Sequence, residues 1–316
     1  MRYLIILSVL ILLTGNRLQA QCFASAGNPI GGTANMGVMD KNTLRMALFH
    51  RFSYSNKYKK EDDAYTGSSG ILDHAFYNYS GWLIGYGLTD WLTLETEGGF
   101  YENKTQVYLW NDQKLTGNGL SNAVISLKPR LYYSTTKRFE ISCALGANIP
   151  FSRNMKEVDG VVLPIDLQPS TGSYGLVFQT FLIKENSFRA YRLMFTHRFE
   201  TYFANTDNFL FGNLYQTSIY FSRHFVFDDR KLKDWTLILQ LKNQFKEHNF
   251  RDGIVVNASG NLLFYVVPQV NLSLREKWNI SLLADIPVYQ YYNGIQLSNR
   301  GALGLSIVRD FKLGEQ

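Results

Sequence analysis

Charged side chains at every second position of long apolar stretches are the chemistry-bearing feature of this sequence. Glu95 and Glu97 lie in one such stretch, and Lys128 and Arg130 lie in the next. Alternate residues of a β-strand point to opposite faces, so each stretch predicts a strand with one apolar and one polar face. The residues assigned to the polar faces are Arg45, Arg51, Glu95, Glu97, Lys128, Arg130, Glu140, Arg192, Arg198, Glu200, Lys242 and Asp285.

Catalytic and metal-binding patterns are weak by comparison. The 5 histidines show no metal-ligand spacing such as His-x-x-x-His, and the chain has no Gly-x-Ser-x-Gly elbow or phosphate-binding glycine loop. Ser222 and His224 lie two apart on one predicted strand, which does not by itself make a hydrolase. We therefore expect no enzymatic activity, no catalytic residues, no cofactor and no metal.

Composition excludes several classes of protein. Of 316 residues, 46% are hydrophobic, 15% aromatic and 18% charged, with a formal net charge of +6. That mixture is too aromatic for a disordered chain. After the first fifteen residues no apolar run approaches the ~18–20 residues of a membrane helix. The positive charges are scattered rather than gathered in a stripe, so no nucleic-acid partner is expected.

The first 20 residues predict a secretory signal peptide. A short positive start is followed by the apolar run Leu4 to Leu13 and by a polar end with the small residue Ala20. The mature chain is then expected to begin at Gln21. Gln21 stands where a lipoprotein requires a small residue before its acylated cysteine, which disfavours lipidation of Cys22 without excluding it.

From Thr43 onward the chain repeats stretches of about ten alternating residues, the length of a membrane-spanning strand. The clearest is a hairpin between Phe76 and Phe100 with a minimal turn at Thr89-Asp90. We count about twelve such strands, with both chain ends on the side of the short turns.

The connections alternate in length. The short ones are Thr89-Asp90, Ser134 to Arg138, Lys184 to Ser187, Asp228 to Asp234 and Arg275 to Lys277. The long ones are Ser55 to Gly70, Glu102 to Asn118, Ser152 to Ser173, Ala204 to Asn213, Lys246 to Asn261 and Asn293 to Arg300. This pattern predicts an all-β fold: a transmembrane, antiparallel, up-and-down β-barrel of about twelve strands with short periplasmic turns and long extracellular loops.

A soluble all-β sandwich is the alternative, but its strands are usually shorter and its loops do not alternate in length. Aromatic residues near the strand ends favour the membrane barrel, because such barrels carry aromatic girdles at both interfaces. The residues assigned to these girdles are Tyr77, Tyr79, Trp91, Tyr132, Tyr133, Tyr202, Trp235, Trp278, Tyr289, Tyr291 and Tyr292. The predicted location is the outer membrane of a Gram-negative bacterium.

Several motifs in order along the chain resemble a family of outer-membrane transporters associated with a phenol-degradation (MetA) pathway. They are Gly85 to Leu92, Gly119 to Ala123, Gly146 to Pro150 and Leu167 to Ser173. Asn122 stands where that family has an acid, and Phe151-Ser152 depart from its usual strand end. The resemblance implies an outer-membrane channel with a role in uptake of small hydrophobic compounds, and it implies no catalytic residues.

The polar faces point into the barrel if the apolar faces contact lipid. Seven of the twelve charged residues above are basic and five are acidic. Two hypotheses follow. The charges pair with one another and fill a narrow lumen, or the basic excess favours anions in a pore. Glu95 and Glu97 lie on the strand next to Lys128 and Arg130, which predicts cross-strand pairing.

Three segments are predicted: the signal peptide at 1–20, a Gly- and Asn-rich segment at 21–42, and the barrel at 43–316. The second contains Gly27 to Asn35, too rich in Gly, Asn and Pro for a long strand. Two structures are compatible with it: a plug folded into the lumen, or a flexible periplasmic arm.

The function predicted from these observations is passive passage of small molecules, with hydrophobic or aromatic compounds as candidates. The competing hypothesis is a structural or assembly barrel whose lumen is closed by paired charges. Expected partners are outer-membrane lipid, lipopolysaccharide contacted by loop residues Lys57, Lys59 and Lys60, and a small-molecule solute. The sequence leaves the substrate and the oligomeric state open.

Overall fold

The protein is a twelve-stranded barrel in the residues that its structure, a computed structural model, describes: 37–67, 72–109, 113–186, 188–228, 233–274 and 278–314. The signal peptide and Cys22 lie outside these residues. The barrel strands are β1 (Thr43–Ser55), β2 (Leu72–Thr89), β3 (Leu92–Tyr108), β4 (Ala123–Ser134), β5 (Phe139–Ile149), β6 (Gly175–Asn186), β7 (Tyr191–Tyr202), β8 (Leu214–Asp228), β9 (Lys233–Lys246), β10 (Asn261–Leu274), β11 (Trp278–Ser298) and β12 (Gly301–Lys312).

Every strand pairs antiparallel with the strand before it and the strand after it in sequence. The circle closes because β1 also pairs with β12, where Arg45 lies opposite Asp310. Closure leaves no strand edge with unpaired backbone groups, which the apolar part of a bilayer would not tolerate. The predicted fold class and strand number are confirmed.

Alternate residues differ sharply in exposure, which identifies the two faces of the wall. On β6, Leu176 and Phe178 are 47% and 42% exposed, whereas Val177 and Phe181 are each 1% exposed. The exposed apolar side chains face outward to lipid, and their buried neighbours fill the interior. The interior also holds small apolar clusters, one of them formed by Ile183, Met194, Tyr220 and Ile238.

The wall continues beyond the bilayer on the side of the long connections. The segment Glu102 to Asn118 was predicted to be a loop, and this prediction is wrong. β3 continues to Tyr108 and pairs with a short strand, Lys114–Leu120. A strand outside the hydrocarbon region needs no apolar face. The polar residues of this segment were therefore interpreted as a loop although they form strands. The prediction of a long connection at Asn293 to Arg300 is wrong as well, because β11 continues to Ser298 and Asn299 and Arg300 alone join it to β12. No helix within the described ranges is long and apolar enough to cross a membrane.

The aromatic residues divide between the two faces. Trp235 and Trp278 are exposed on the outside, at 39% and 41%. Tyr79 instead lies inside, where its ring packs 4.7 Å from that of Tyr101. Five of the predicted girdle residues therefore belong to the inner face of the wall. They are Tyr77, Tyr79, Tyr133, Tyr202 and Tyr292. Proximity to a loop in sequence did not determine which face each ring occupies.

The facing assignment gives a direct test by substitution on β9. Leu239 is 43% exposed and Gln240 is 6% exposed. A charge on the lipid face near the bilayer centre costs about 2–4 kcal/mol in such barrels. We expect Leu239→Arg to lower folding yield into lipid vesicles far more than Gln240→Arg, measured by the heat-modifiable shift on gel electrophoresis. Equal yields would contradict this assignment of the two faces.

Candidate functional site

All twelve charged residues assigned to the polar strand faces lie in ion pairs inside the barrel. Lys128, whose side chain is fully buried, donates to Glu95 at 2.7 Å, and Arg45 pairs with Asp310 at 2.5 Å. The remaining pairs are Arg51 with Asp285, Lys242 with Asp285, Arg130 with Glu140, Arg192 with Glu185, and Arg198 with both Glu97 and Glu200. A role in a pore remains a prediction for these residues.

Two acidic partners were missed by the sequence analysis. Asp310 pairs with Arg45, and Glu185 pairs with Arg192. With them, the paired set holds seven basic and seven acidic residues, so the basic excess read from the sequence disappears. The alternation on β12 could have revealed Asp310, because it shares its parity with the inward Ser306 and Val308. Glu185 was assigned to a turn because strand β6 extends further than its apolar pattern.

Cross-strand pairing holds for Glu95 and Lys128 but not for Glu97 and Arg130. Glu97 reaches Arg198 of β7 at 2.5 Å, and Arg130 lies 3.4 Å from Glu140 of β5. Since β3 and β7 are not neighbours in the sheet, the pair between Glu97 and Arg198 crosses the lumen. This contact connects opposite parts of the wall and could not be read from strand adjacency.

The paired charges form two layers along the barrel axis. The layer near the short turns contains four one-to-one pairs: Arg45 with Asp310, Lys128 with Glu95, Arg130 with Glu140, and Arg192 with Glu185. The layer toward the long loops contains two three-membered groups. Arg198 bridges two acids, whereas Asp285 is shared by Arg51 and Lys242. Positive and negative charges are equal in number in the first layer. In the second layer, the group around Arg198 has one more acid than base, and the group around Asp285 has one more base than acid.

A cavity of about 240 Å³ lies in the second layer. Most of its lining side chains are polar. They come from strands β8 to β11, from β1 and β2, and from Asn299 after β11. The lining residues are Arg51, Tyr77, Gln216, Gln240, Lys242, Gln244, Leu263, Tyr265, Leu283, Asp285 and Asn299. The cavity is open space within the lumen, so the described interior is not filled completely.

The chain before β1 enters the lumen at the end of the barrel with the short turns. Val38 and Met39 are 7% and 5% exposed. The Val38 N–H donates to Glu140 at 2.7 Å, its carbonyl accepts from Arg130 at 2.9 Å, and the Met39 N–H donates to Thr93 at 2.9 Å. Residues 37–41, named here the entry segment, therefore lie across the inner face of strands β2 to β5.

Glycines on β2 make room for the entry segment. A Cβ added to Gly87 would lie 2.0 Å from the backbone oxygen of Asp40, and one added to Gly85 would lie 2.4 Å from the end of the Met39 side chain. Real Cβ atoms do not approach other atoms so closely. These two glycines of the predicted hairpin thus form a seat for the entry segment, which the sequence analysis did not recognise.

At the other end, an extracellular loop folds against the rim. The Asn122 amide donates to Asn148 at 2.8 Å and Thr171 at 2.7 Å, and its oxygen accepts from Ser170 at 2.9 Å. Leu167 of the same loop is 2% exposed. The segments Gly119 to Ala123 and Leu167 to Ser173, which carried part of the family resemblance, therefore contact each other. Their shared role is to hold this loop inward.

Other polar groups of the described residues form no arrangement expected for catalysis. The Ser222 hydroxyl donates to the Arg192 carbonyl at 3.4 Å, and His224 Nδ1 lies 3.1 Å from Thr236. On the outer face, Ser80 donates to Glu102 at 2.6 Å and lies 3.0 Å from His50 Nδ1. The Ser80 proton is directed to the carboxylate rather than to the imidazole. Within the described ranges, no three metal-ligating side chains cluster.

Taken together, the closed meander of twelve strands, its apolar outer face and its polar interior define a β-barrel of the Gram-negative outer membrane. The fold is similar to that of the COG4313 outer membrane channel from Pseudomonas putida F1. The TM-score is 0.69 at 13% identity, over 90% of this chain and 100% of that one.

More distant similarity is found with a Pseudomonas aeruginosa FadL homologue, at a TM-score of 0.39 and 8% identity over 86% of this chain and 90% of that one. The CymD monoaromatic hydrocarbon channel gives 0.36 and 7%, over 90% and 96%. No family model and no curated protein matches the sequence.

Proposed function

We propose that this protein is an outer-membrane channel for passive passage of small molecules, closed at its periplasmic end by the chain that precedes β1. The observation that carries the proposal is the position of the entry segment, whose backbone is bonded to Thr93, Arg130 and Glu140 inside the lumen. The bond to Thr93 is of the kind that contributes about 0.5–1.5 kcal/mol, and the bonds to the charged groups of Arg130 and Glu140 contribute about 1.5–3 kcal/mol each, so they hold the segment in the lumen by non-covalent contacts that can be broken. The Gly- and Asn-rich stretch Gly27 to Asn35 lies outside the described residues, and the position of residues 37–41 supports the plug hypothesis for the chain next to β1.

The fold supports the proposal as well. The Pseudomonas putida barrel with which this chain shares its fold is named a channel. The resemblance to transporters of a phenol-degradation pathway would make hydrophobic or aromatic compounds the solutes. The lumen does not favour that choice, because the cavity is lined mainly by charged and amide side chains.

A structural or assembly barrel is the second candidate. The one-to-one ion pairs of the layer near the short turns favour a structural barrel, because paired and buried charges fill a lumen rather than attract ions. The two functions differ in whether displacement of the entry segment opens a path.

Reversible cross-linking of the entry segment tests the channel. Met39→Cys and Thr93→Cys place thiols on two residues in contact, whose backbone N–H and hydroxyl are 2.9 Å apart, in a chain whose Cys22 and Cys143 are replaced by Ser. Loss of free thiols on oxidation confirms that the disulfide has formed. In planar bilayers, we expect conductance steps under reducing conditions and their loss on oxidation. Each single-cysteine variant serves as the control, since oxidation should not change its conductance. Silence in both redox states would favour the structural barrel.

Lipopolysaccharide remains a proposed partner of the extracellular rim. Lys57, Lys59 and Lys60 belong to a short strand, Lys57–Glu61, that continues the barrel sheet by pairing with the end of β11 on the side of the long connections. Lys57 and Lys60 are exposed. Their position supports contact with anionic headgroups.

A further inference from the structure

The cavity in the second charged layer carries a net positive charge, whereas the paired charges of the lumen balance as a whole. Arg51 and Lys242 share one carboxylate, Asp285, and Lys242 Nζ lies 3.0 Å from it. The remaining lining side chains are uncharged, so the cavity walls carry one unbalanced positive charge. A desolvated positive charge is a strong site for an anion, because low-dielectric walls weaken electrostatic interactions less than water does.

The hydrogen-bonding state of Arg51 points in the same direction. Its Nε is buried and has no hydrogen-bond partner within the described part of the chain. The Nε atoms of Arg130, Arg192 and Arg309 share this state, and of the four arginines only Arg51 lines the cavity. A buried donor without an acceptor costs about as much as its lost hydration, so such groups call for an explanation. A guanidinium offers donors in a planar fork that matches a carboxylate, and a bound carboxylate would supply the absent acceptor.

The rest of the lining identifies the body of the ligand. Amides of Gln216, Gln240, Gln244 and Asn299 and the rings of Tyr77 and Tyr265 form most of the wall, against two leucines. Amides and phenols donate and accept hydrogen bonds, which suits hydroxyl groups better than an apolar ring. The volume of about 240 Å³ admits one small molecule.

Basic residues continue from the cavity toward the outside. Lys246 lies on β9 two and four residues beyond Gln244 and Lys242, on the same inward face. Lys104 of β3 donates to the Gln168 carbonyl at 3.0 Å, in the loop that folds over the rim. The Asp166 carboxylate of that loop interacts electrostatically with both lysines. Lys246 also interacts with Glu200, so the charge along this path is mixed and the unbalanced positive charge is a property of the cavity itself.

We propose that the cavity is a binding site for a small hydroxylated carboxylate, with Arg51 and Lys242 holding the carboxylate and the amide side chains holding the hydroxyl groups. The inference rests on the proposed channel function and names the class of solute that the channel takes up. It departs from the hydrophobic solutes that the family resemblance implies.

Binding to the refolded mature protein in detergent tests this proposal without requiring an open channel. Gluconate is the probe. Sorbitol is the uncharged control and glucosamine the cationic control of similar size, and the binding of each compound is measured by isothermal titration calorimetry. We expect binding of gluconate alone. Sorbitol binding as tightly as gluconate, or no binding of gluconate, would overturn the proposal.

A charge substitution of nearly constant shape locates the site. Gln244→Glu places an acid on the cavity wall and should weaken gluconate binding about tenfold or more, by like-charge repulsion and by competition for the cations. Gln179→Glu adds the same charge at a buried inward position outside the lining, and we expect a change of less than about threefold. Equal effects of the two variants would contradict a site in this cavity.

Conductance separates failure of this inference from failure of the channel. Gluconate binding without conductance in the reduced cross-linking variant would retain the site and remove the channel. Conductance in the reduced cross-linking variant, together with gluconate binding no tighter than sorbitol binding in detergent, would retain the channel and remove the site.

Discussion

Replacing Arg198 by Met is expected to lower the free energy of unfolding by about 3–5 kcal/mol, the cost of removing one partner from a buried ion pair. Arg198 contacts Glu97 and Glu200, each at 2.5 Å, and the side chains of the two acids are only 17% and 10% exposed. The substitution leaves two carboxylates close together in the lumen without their cation. Urea unfolding from phospholipid vesicles, followed by tryptophan fluorescence, measures the loss.

Two further variants distinguish the stability lost with the ion pairs from the stability lost by removing any arginine side chain. Arg153→Met removes an exposed arginine of an extracellular loop and should change stability by less than about 0.5 kcal/mol. Adding Glu97→Gln and Glu200→Gln to Arg198→Met should recover most of the loss, because neutral groups carry a much smaller desolvation cost. A triple variant as unstable as the single one would mean that Arg198 acts through packing alone.

Gly87→Ala is expected to open the channel. The added Cβ would lie 2.0 Å from the Asp40 carbonyl oxygen, a backbone atom that cannot rotate away. Overpacking of this kind costs about 1–3 kcal/mol, which shifts an equilibrium between seated and displaced states by roughly 5–150-fold. We expect a corresponding rise in the fraction of time that single channels conduct in planar bilayers.

Gly85→Ala is the matched control, because it makes the same change on the same strand and face. Its Cβ would meet only the flexible end of Met39, which can adopt another rotamer. Its effect on conductance should therefore be clearly smaller. Equal conductance in both variants and in the parent would show that the entry segment does not control the path.

Much of the fold followed from local pattern. A period of two specified which residues share a face, and the alternation of short and long connections specified a meander with both ends on one side. The extension of β3 past Glu102 was missed. A polar sequence indicates contact with water rather than lipid, and it does not distinguish a strand outside the membrane from a loop. The lumen positions of Tyr77 and Tyr79 were missed because nearness to a loop does not specify a face.

The candidate site was predicted only in part. The twelve inward charges were found by parity, since each lies on a strand whose other face is apolar. Their partners were found poorly: Arg198 contacts Glu97 across the lumen, and Asp310 completes the pair of Arg45 through the closure of β1 on β12. Such contacts depend on how the sheet curves and closes.

By itself, the sequence determined the number of strands, the two faces of their membrane-spanning parts and the membrane that surrounds them, because these depend on side-chain polarity at fixed local spacing. The tertiary structure alone decided the balance of charge in the lumen, the cavity around Arg51 and Lys242, and the seat of the entry segment on Gly85 and Gly87. These features join residues far apart in the chain, and their geometry is set only when twelve strands close into one barrel.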